Sequence, residues 1–446
     1  MANLDRRRFL QLSALAAGGA ALSACGGGGG AAPAKVGPTG TAAKGSITVW
    51  SWQGPAAMMK ELVPDFQKQY PGITVDVQDI GNPAIWDKIT AGMAAGGQGL
   101  GDVLHIGVDY LPAYIEKFPG GLADLVPLGA DRHKGEFALG MWETVSRDGK
   151  VYALPWEANS AGFYYRADLF DKAGIDVEAL QTWDQLIEAG TELKKTGVQL
   201  LGVDKAATQA DSAGLFQMLL QLQDSFYFDI QGNITLDTPQ AVTALTIIKK
   251  LNDAGLVADL GGGWNTMISA MKKGSVAVQP MPTWFGGIIE ETVPAEKGKW
   301  KVRLPPAVTQ GGKVSATVNS THLAVAGTSK YREAAYAFAE FVLTRPENQV
   351  KIYKGKGIAP ALMSAYDDPI FHESSAFFSG QKKGEIFLNA LKQPSYVTNY
   401  SADYPRALKV VDDAQSKVLL KGADPAAALK EAADLLAQQT GRKVQR

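Results

Sequence analysis

Short apolar runs alternate with segments of helical pattern along most of this chain. Five of these runs lie at residues 47–50, 73–77, 103–106, 200–203 and 276–279. Strands this short and apolar, separated by helices, are typical of a parallel sheet that helices cover on both faces. The pattern therefore predicts an α/β fold with mostly parallel sheets.

Helices are predicted between these runs and towards the carboxyl terminus. Thr182 and Asp424 are suited to cap a helix at its amino end, and Gly255 is suited to stop one at its carboxyl end. Pro71 and Gly72 stop the first helix. The predicted helices span residues 56–70, 83–95, 182–195, 239–254, 331–343, 404–420 and 424–439.

The length of the chain predicts two lobes. The chain has 446 residues, whereas a single hydrophobic core rarely serves more than about 250–300 residues. Beyond the amino-terminal region there is no apolar stretch of about 18 residues. We therefore expect two soluble lobes.

The charge of the chain argues against nucleic acid as a partner. The formal net charge is −1, and the amino-terminal segment is basic, so the rest of the chain is slightly more acidic. A protein that binds nucleic acid would show a basic patch or stripe, and this sequence has neither.

The amino terminus has the order of an export signal. Three arginines at residues 6–8 precede an apolar stretch at residues 9–22, and Leu-Ser-Ala then leads to Cys25, the single cysteine of the chain. A basic segment, an apolar segment and a small-residue cleavage site are the marks of a signal peptide. The run that ends at Cys25 resembles the bacterial lipobox, and the arginine segment resembles a twin-arginine export signal.

We expect residues 1–24 to be a signal peptide and Cys25 to be lipidated. Residues 25–45 would form a flexible tether, because they begin with five glycines and continue mostly with Ala, Gly, Pro and Thr. The protein would then be exported and anchored by lipid to the outer face of the cell membrane. The alternatives are a secreted protein with a free thiol and a membrane helix, although a spanning helix needs about 20 apolar residues.

Six segments of the body match, in order, the motifs of one known family. They are KQYPGITV from residue 68, GDVL from 101, KVYALP from 150, YRADLF from 165, TWD from 182 and KGSVA from 273. These segments resemble family 1 of the extracellular solute-binding proteins, the substrate receptors of ABC importers. The resemblance implies two α/β lobes, each a mostly parallel sheet flanked by helices, with a small ligand between them.

The resemblance also implies the lobe boundaries and the partners. It predicts a monomer that passes its ligand to the permease subunits of an ABC importer. Crossings between the lobes are expected near residues 158–159 and 319–320, where they would form a hinge. The predicted lobes are residues 46–157 plus 318–366 and residues 158–317 plus 367–446.

Aromatic and planar polar side chains follow the predicted strands, where ligands of open α/β sheets bind. Sugars present apolar C–H faces, on which aromatic rings stack, and hydroxyl groups, which carboxylates and amides bind. This composition favours a sugar or oligosaccharide as the ligand. The candidate ligand-binding residues are Trp52, Gln53, Trp86, Asp109, Tyr110, Trp156, Glu157, Asn159, Trp264, Asn265, Trp284, Phe285, Asn319 and Asp403.

Several aromatic and acidic residues have a structural interpretation as well. Trp50 lies within a strand and is expected in the core. Trp86 fits the core as well as the rim of a site. Asp109 and Asp403 each precede a predicted helix and could cap it.

Other functions are weaker alternatives. Tyr164 and Tyr165 could bind ferric ion, although their position in an alternating strand favours sheet packing; a polyol is a further candidate ligand. Asp109 and Glu157 could form the carboxylate pair of a glycoside-acting enzyme. No catalytic or phosphate-binding motif occurs and the four histidines are scattered, so we expect no enzyme activity, no cofactor and no metal.

Overall fold

The computed structural model describes residues 43–208, 214–261, 263–318, 320–393, 396 and 398–446. The predicted signal peptide, Cys25 and most of the tether lie outside the described residues, as does Asn319. Within the described ranges, no helix is long and apolar enough to cross a membrane.

Helices and strands alternate along the described chain. The strands are β1 (Gly45–Ser51), β2 (Ile73–Asp79), β3 (Val103–Gly107), β4 (Ser146–Arg147), β5 (Lys150–Val151), β6 (Ala153–Pro155), β7 (Ala161–Arg166), β8 (Leu201–Val203), β9 (Val257–Asp259), β10 (Val278–Pro282), β11 (Trp300–Arg303) and β12 (Thr321–Val325). The helices are α1 (Gln53–Gln69), α2 (Ala84–Ala94), α3 (Leu111–Lys117), α4 (Leu139–Val145), α5 (Ala167–Lys172), α6 (Trp183–Lys195), α7 (Gly214–Gln221), α8 (Pro239–Asp253), α9 (Trp264–Lys272), α10 (Phe285–Thr292), α11 (Arg332–Leu343), α12 (Pro346–Lys356), α13 (Lys383–Leu391), α14 (Tyr404–Lys421) and α15 (Pro425–Thr440).

The first sheet has five strands in the order β2-β1-β3-β12-β6. β2, β1 and β3 are parallel, and β12 runs antiparallel to both β3 and β6. Four of the five strands therefore share one direction. Their carboxyl ends lie at one edge, together with the amino end of β12, because Thr321 pairs with Gly107. We call this edge the carboxyl edge of the first sheet.

The second sheet is assembled from two smaller ones. β10, β7 and β11 pair antiparallel, while β8 and β9 pair in parallel. Backbone N–H groups of Ala277 and Val278 donate to the carbonyl oxygens of Gln199 and Leu200, which joins β8 to β10. The resulting order β9-β8-β10-β7-β11 again has four strands in one direction and one, β7, opposed. The predicted α/β fold with mostly parallel sheets is confirmed.

The two opposed strands both begin directly after the chain passes from one sheet to the other. Residues 158–160 lead from β6 to β7, and residues 316–318 and 320 precede β12 on the way back from the second sheet. These segments lie side by side and antiparallel, since Ser160 bridges to Thr317 and the N–H of Val318 donates to the carbonyl oxygen of Asn159 at 2.8 Å. Two adjacent connections of this kind are the arrangement that a hinge requires.

Each sheet has its own hydrophobic core. The core of the first sheet is formed by residues from 43–158 and 323–391. The core of the second sheet is formed by residues from 161–316 and 400–436, and Val108 also belongs to it. α13 packs against both sheets. Its Leu388 and Leu391 belong to the first core, and its Phe387 belongs to a smaller third cluster that includes Tyr164 of β7 in the second sheet. The lobe boundaries stay a prediction.

Thr182 and Asp424 cap helices, as the sequence predicted. Thr182 forms a capping box with Gln185 at the start of α6, and Asp424 accepts a hydrogen bond from the backbone N–H of Ala427 at 2.9 Å. Asp403, by contrast, makes no capping hydrogen bond at α14, so its interpretation as a cap was wrong. The amino end of α3 is formed by Tyr110, whose side chain also makes no such bond.

One predicted strand is displaced. The pattern placed it at residues 276–279, but β10 runs from Val278 to Pro282. The N–H of Val278 donates the last backbone hydrogen bond from this segment to the neighbouring strand in the described structure. Pro280 and Pro282 lack an N–H group, and they are tolerated here because the hydrogen-bond ladder to β8 has ended. Because proline is unfavourable in strands, the sequence pattern did not predict the second half of this strand.

Candidate ligand-binding site

The carboxyl edge of the first sheet carries a stack of aromatic rings. Trp52 is the first residue after β1, and its ring stacks on that of His105 in β3 with centroids 4.1 Å apart. Trp156 follows β6 and lies 4.7 Å from His105. Trp52 is partly exposed, whereas Trp156 is fully buried. Trp52 can therefore meet a ligand, and Trp156, which was predicted to do so, supports the stack from the core.

Two further rings extend this stack along the edge. Trp86 of α2 meets Trp52 edge-on at 5.3 Å and stacks on Tyr110 at 4.5 Å. The indole N–H of Trp86 donates to the side-chain oxygen of Asn82 at 3.1 Å. Trp86 and Tyr110 are both partly exposed. Of the two interpretations of Trp86, the rim position fits this arrangement better.

A chain of buried hydrogen bonds lies beneath the rings. Ser51 Oγ is 2.8 Å from His105 Nδ1, and His105 Nε2 is 2.9 Å from Thr321 Oγ1. Thr321 Oγ1 in turn donates to Glu157 Oε1 at 2.8 Å. All four residues are buried. The chain thus connects the end of β1, the middle of β3 and the start of β12 with a residue that precedes the crossing between the sheets.

The ionised form of Glu157 fixes the direction of every hydrogen bond in this chain. A carboxylate only accepts, so Thr321 donates to it and accepts from the Nε2–H of His105, and Ser51 donates to Nδ1. Burial, aided by the proximity of His322, lowers the pKa of His105 well below its ordinary value. The His105 ring is therefore neutral, and while Glu157 is ionised the ring beneath Trp52 has a defined tautomer.

Of the two titratable groups in this chain of hydrogen bonds, His105 and Glu157, only Glu157 has a pKa near neutrality. Burial raises its pKa to about 7, although hydrogen bonds with Thr321 and Asn159 partly oppose the shift. The shift has no contribution from a second carboxylate, which is what a glycosidase-like pair would supply.

Replacement of Glu157 by Gln should remove a pH dependence of stability. Because the folded-state pKa is raised from 4.5 to about 7, the stability that the protonated form contributes is full below about pH 4.5 and is lost as the pH rises through about 7. The free energy of unfolding of the wild type should fall by roughly 3 kcal/mol over this rise in pH. The free energy of unfolding of Glu157→Gln relative to wild type should therefore rise from about pH 5 to about pH 8.5.

Denaturant titrations of both proteins across this range test the prediction. Other groups that titrate here, such as His133, occur in both proteins and cancel in the difference. A difference that does not change with pH would contradict the raised pKa of Glu157.

The second sheet carries a cavity of 390 Å³ at its edge. The cavity lies where β8, β9 and β10 end and β7 begins, and it is bordered by Ala161, the first residue of β7, and by Val318 of a crossing segment. Its volume is within the range of small-molecule sites. Trp264 lies on its wall and is 46% exposed, which is unusual for a ring of this size. Among the described residues, the polar side chains on the wall are Asp204, Gln217 and Gln279.

Trp264 and Trp284 lie side by side, with ring centroids 6.1 Å apart. Trp284 is partly exposed and borders a second cavity of 670 Å³ between α10, α12 and α13. Phe285, predicted as a ligand contact, is fully buried in the third cluster. As the first residue of α10 it turns towards the core, so that prediction was wrong.

The remaining candidates differ in their surroundings. Gln53 and Asn265 are exposed beside Trp52 and Trp264, and Asn159 is fully buried in the crossing segment. Asp109 is partly exposed just beyond β3. Asp403 pairs with Arg406 at 2.5 Å and with Arg442 at 2.9 Å, so its carboxylate is engaged in ion pairs rather than open to a ligand.

The tyrosine pair does not converge on a common point. Tyr164 donates its hydroxyl hydrogen to the carbonyl oxygen of Thr283 at 2.8 Å, and Tyr165 donates to Glu178 at 2.7 Å. Tyr164 belongs to the third cluster and Tyr165 to the second core. Successive side chains of a strand point to opposite faces, so the sheet separates the two hydroxyls, and sheet packing accounts for both.

The sequence reasoning missed the polar residues that lie inside strands. His105 and Gln279 occur in apolar runs, and Ser51 and Thr321 lie at strand ends. The usable signal was a polar side chain within an otherwise apolar run, because a buried polar group needs a partner or a function.

The sequence belongs to a known family. Residues 50–349 match the family described as bacterial extracellular solute-binding protein. That span exceeds half of the chain and includes every strand except most of β1, together with the crossing segments and the aromatic stack. The chain is therefore a member of the bacterial extracellular solute-binding proteins.

Individual relatives agree with this assignment. A lactose-binding protein of Rhizobium radiobacter is 27% identical over 406 residues, covering 89% of this chain and 93% of the relative. An arabinooligosaccharide-binding protein of Bacillus subtilis is 25% identical, covering 76% and 78%. The ABC-transporter-associated binding protein of B. animalis subsp. lactis, solved with β-1,6-galactobiose, is 26% identical with a TM-score of 0.71, covering 90% of this chain and all of that one.

Proposed function

We propose that this protein is an extracytoplasmic receptor that binds a carbohydrate between its two lobes and delivers it to an ABC importer. The observation that carries the proposal is the pair of aromatic surfaces at the sheet edges. Trp52, Trp86 and Tyr110 lie at the first edge, and Trp264 and Trp284 lie at the second. Exposed rings beside planar polar groups suit the apolar faces and hydroxyl rims of sugars.

The crossing segments support a binding site that closes. Glu157 and Asn159 lie at one crossing, and Ala161, directly after that crossing, and Val318 of the other border the second-sheet cavity. A rotation about the crossings would bring the two aromatic surfaces together around a ligand. The predicted lobe boundaries are retained on this basis, as is a monomeric receptor.

A thermal-shift screen tests the proposed function. Lactose, β-1,6-galactobiose, arabino-oligosaccharides, monosaccharides and polyols should be compared with amino acids and ferric citrate as controls. A sugar at a hundredfold excess over its Kd stabilises the native state by about 2.7 kcal/mol, which raises the melting temperature measurably. A shift with amino acids or ferric citrate and none with any sugar would overturn the proposal.

We propose binding without catalysis. Glu157 is engaged with Thr321, and no carboxylate acts on its pKa, so a pair that could cleave a glycosidic bond has little support. Chromatography of each sugar after prolonged incubation with the protein should return it unchanged. The appearance of shorter sugars would favour the glycosidase alternative.

We also propose export and lipid anchoring through Cys25, on the evidence of the sequence. Cys25→Ser should release the folded protein into the medium, because the thiol is the only site for lipid attachment in a lipobox. Fractionation followed by immunoblotting checks this, and Ser23→Ala serves as a control that keeps the cysteine. A Cys25→Ser protein that stays with the membrane would contradict the anchor.

A further inference from the structure

The side-chain Nε2 of Gln279 is a buried donor without a hydrogen-bond partner in the described part of the chain. Gln279 lies in β10, and the residue is 3% exposed. Native proteins pair almost all buried N–H groups, because leaving one unpaired is destabilising. A buried donor without a partner among the described residues is a candidate for contact with a ligand.

The position of Gln279 indicates which ligand it would meet. Gln279 borders the 390 Å³ cavity, together with Trp264 and two other polar side chains. Gln217 donates from Nε2 to the hydroxyl of Tyr404 at 2.6 Å, and Asp204 accepts from the backbone N–H and hydroxyl of Thr208 at 2.8 and 2.7 Å. These bonds orient Gln217 and Asp204 within the protein, whereas Nε2 of Gln279 is a donor left for a bound molecule.

We propose that Gln279 is a specificity-determining residue of the second-sheet cavity. Its Nε2 donates a hydrogen bond to an oxygen of a sugar ring whose apolar face lies against Trp264. This inference rests on the proposed carbohydrate-binding function and names one contact within it. A site built to hydrogen-bond one oxygen discriminates strongly against analogues that lack it, so this contact selects among sugars of similar size.

Replacement of Gln279 by Met should change affinity and stability in different directions. Met has a similar shape but no polar group, so the unpaired donor disappears while the packing is kept. The Kd for the sugar that gives the largest shift in the screen should rise about tenfold to 100-fold. The melting temperature of the ligand-free protein should stay the same or rise. Gln279→Glu, which presents only acceptors at pH 8, should weaken binding at least as much.

Ser416→Ala is the matched control. Ser416 also has a buried side-chain oxygen without a partner in the described structure, but it lies on α14, outside this cavity. Its replacement should leave the Kd unchanged. Isothermal titration of the wild type and the three variants, with melting curves without ligand, measures both quantities.

The outcomes separate this inference from the function on which it rests. If the wild type binds a sugar and Gln279→Met binds it equally well, the assignment of Gln279 is wrong and the function stands. A Gln279→Met protein with a clearly lower melting temperature would show Gln279 to be a packing residue and would also overturn the assignment. If no sugar binds the wild type, the proposed function is wrong, and the assignment of Gln279, which rests on it, is overturned as well.

Discussion

Glu340→Ala is expected to lower the free energy of unfolding by about 3–5 kcal/mol, because it leaves buried charge without its partner. Glu340 lies on α11 in the first core and accepts hydrogen bonds from Arg132, from His133 Nε2 at 3.0 Å and from the hydroxyl of Tyr336 at 2.9 Å. His133 also contacts Glu136 at 2.6 Å through Nδ1. Removing the carboxylate leaves the buried imidazole of His133 without its partner on α11, whereas Arg132 is exposed and can be hydrated.

The pH dependence of this loss follows from the two pKa shifts. Burial alone would raise the pKa of Glu340, but His133, Arg132 and Tyr336 outweigh it and lower the pKa below the ordinary 4.5. Burial likewise opposes the charge of His133, but Glu340 and Glu136 raise its pKa above 6.5. The His133 contribution is full below about pH 6.5 and is lost as the pH rises through the raised pKa, while the Glu340 contribution is full above about pH 4.5.

The deficit of Glu340→Ala should therefore be largest between about pH 5 and 6 and smaller at about pH 8. The contact with Arg132 keeps its charge throughout this range, so part of the loss should persist. Glu385→Ala is the control, since Glu385 is an exposed carboxylate beside His372 and Lys382 and should change stability little. Equal losses in the two variants would contradict the role of the buried network.

The sequence predicted the order of elements better than the environment of individual side chains. Apolar runs and capping residues such as Thr182 and Asp424 are local signals, and local physics decides them. The α/β fold followed from these signals, and the proposed location of a site at the sheet edges rests on them. The displaced strand β10 is the exception, because Pro280 is acceptable only where the hydrogen-bond ladder to β8 has ended, and that depends on distant residues.

Side-chain direction accounts for the errors in the site. Trp156 and Trp52 both follow strands, yet one is buried and the other partly exposed. Which side a residue faces after a strand depends on the helix or crossing that comes next. Phe285 and Trp284 are adjacent in sequence, but Phe285 begins α10 and turns into the core. Spacing along the chain cannot resolve such differences of one residue.

Polar residues inside strands were missed for a related reason. His105 is acceptable in a buried strand because Ser51 and Thr321 satisfy both ring nitrogens. Those partners are 54 and 216 residues away in sequence, so no local pattern reveals them. The same limit applies to Glu340, whose partners Arg132 and His133 come from a distant segment.

Trp264→Ala is expected to weaken sugar binding by about 2–4 kcal/mol, as for other aromatic residues at the centre of a binding surface. That is a rise in Kd of about 30-fold to 1000-fold. Trp264 is preferred to Trp284 for this test because it is 46% exposed in the ligand-free protein, whereas Trp284 also packs on the third cluster. The loss of Trp264 should therefore remove contact with the ligand without opening the core.

Tyr331→Ala is the matched control for Trp264→Ala. Tyr331 is 43% exposed, lies just before α11 and packs beside Gly45 at the start of β1, at the opposite edge of the first sheet. Calorimetric titration with the identified sugar should show wild-type affinity for Tyr331→Ala and a large loss for Trp264→Ala, while both ligand-free variants unfold close to the wild type. An unchanged Kd in Trp264→Ala would exclude the second-sheet cavity as the sugar site. An equal loss in Tyr331→Ala would mean that the loss of an exposed ring weakens binding from any position, which the stacking argument does not allow.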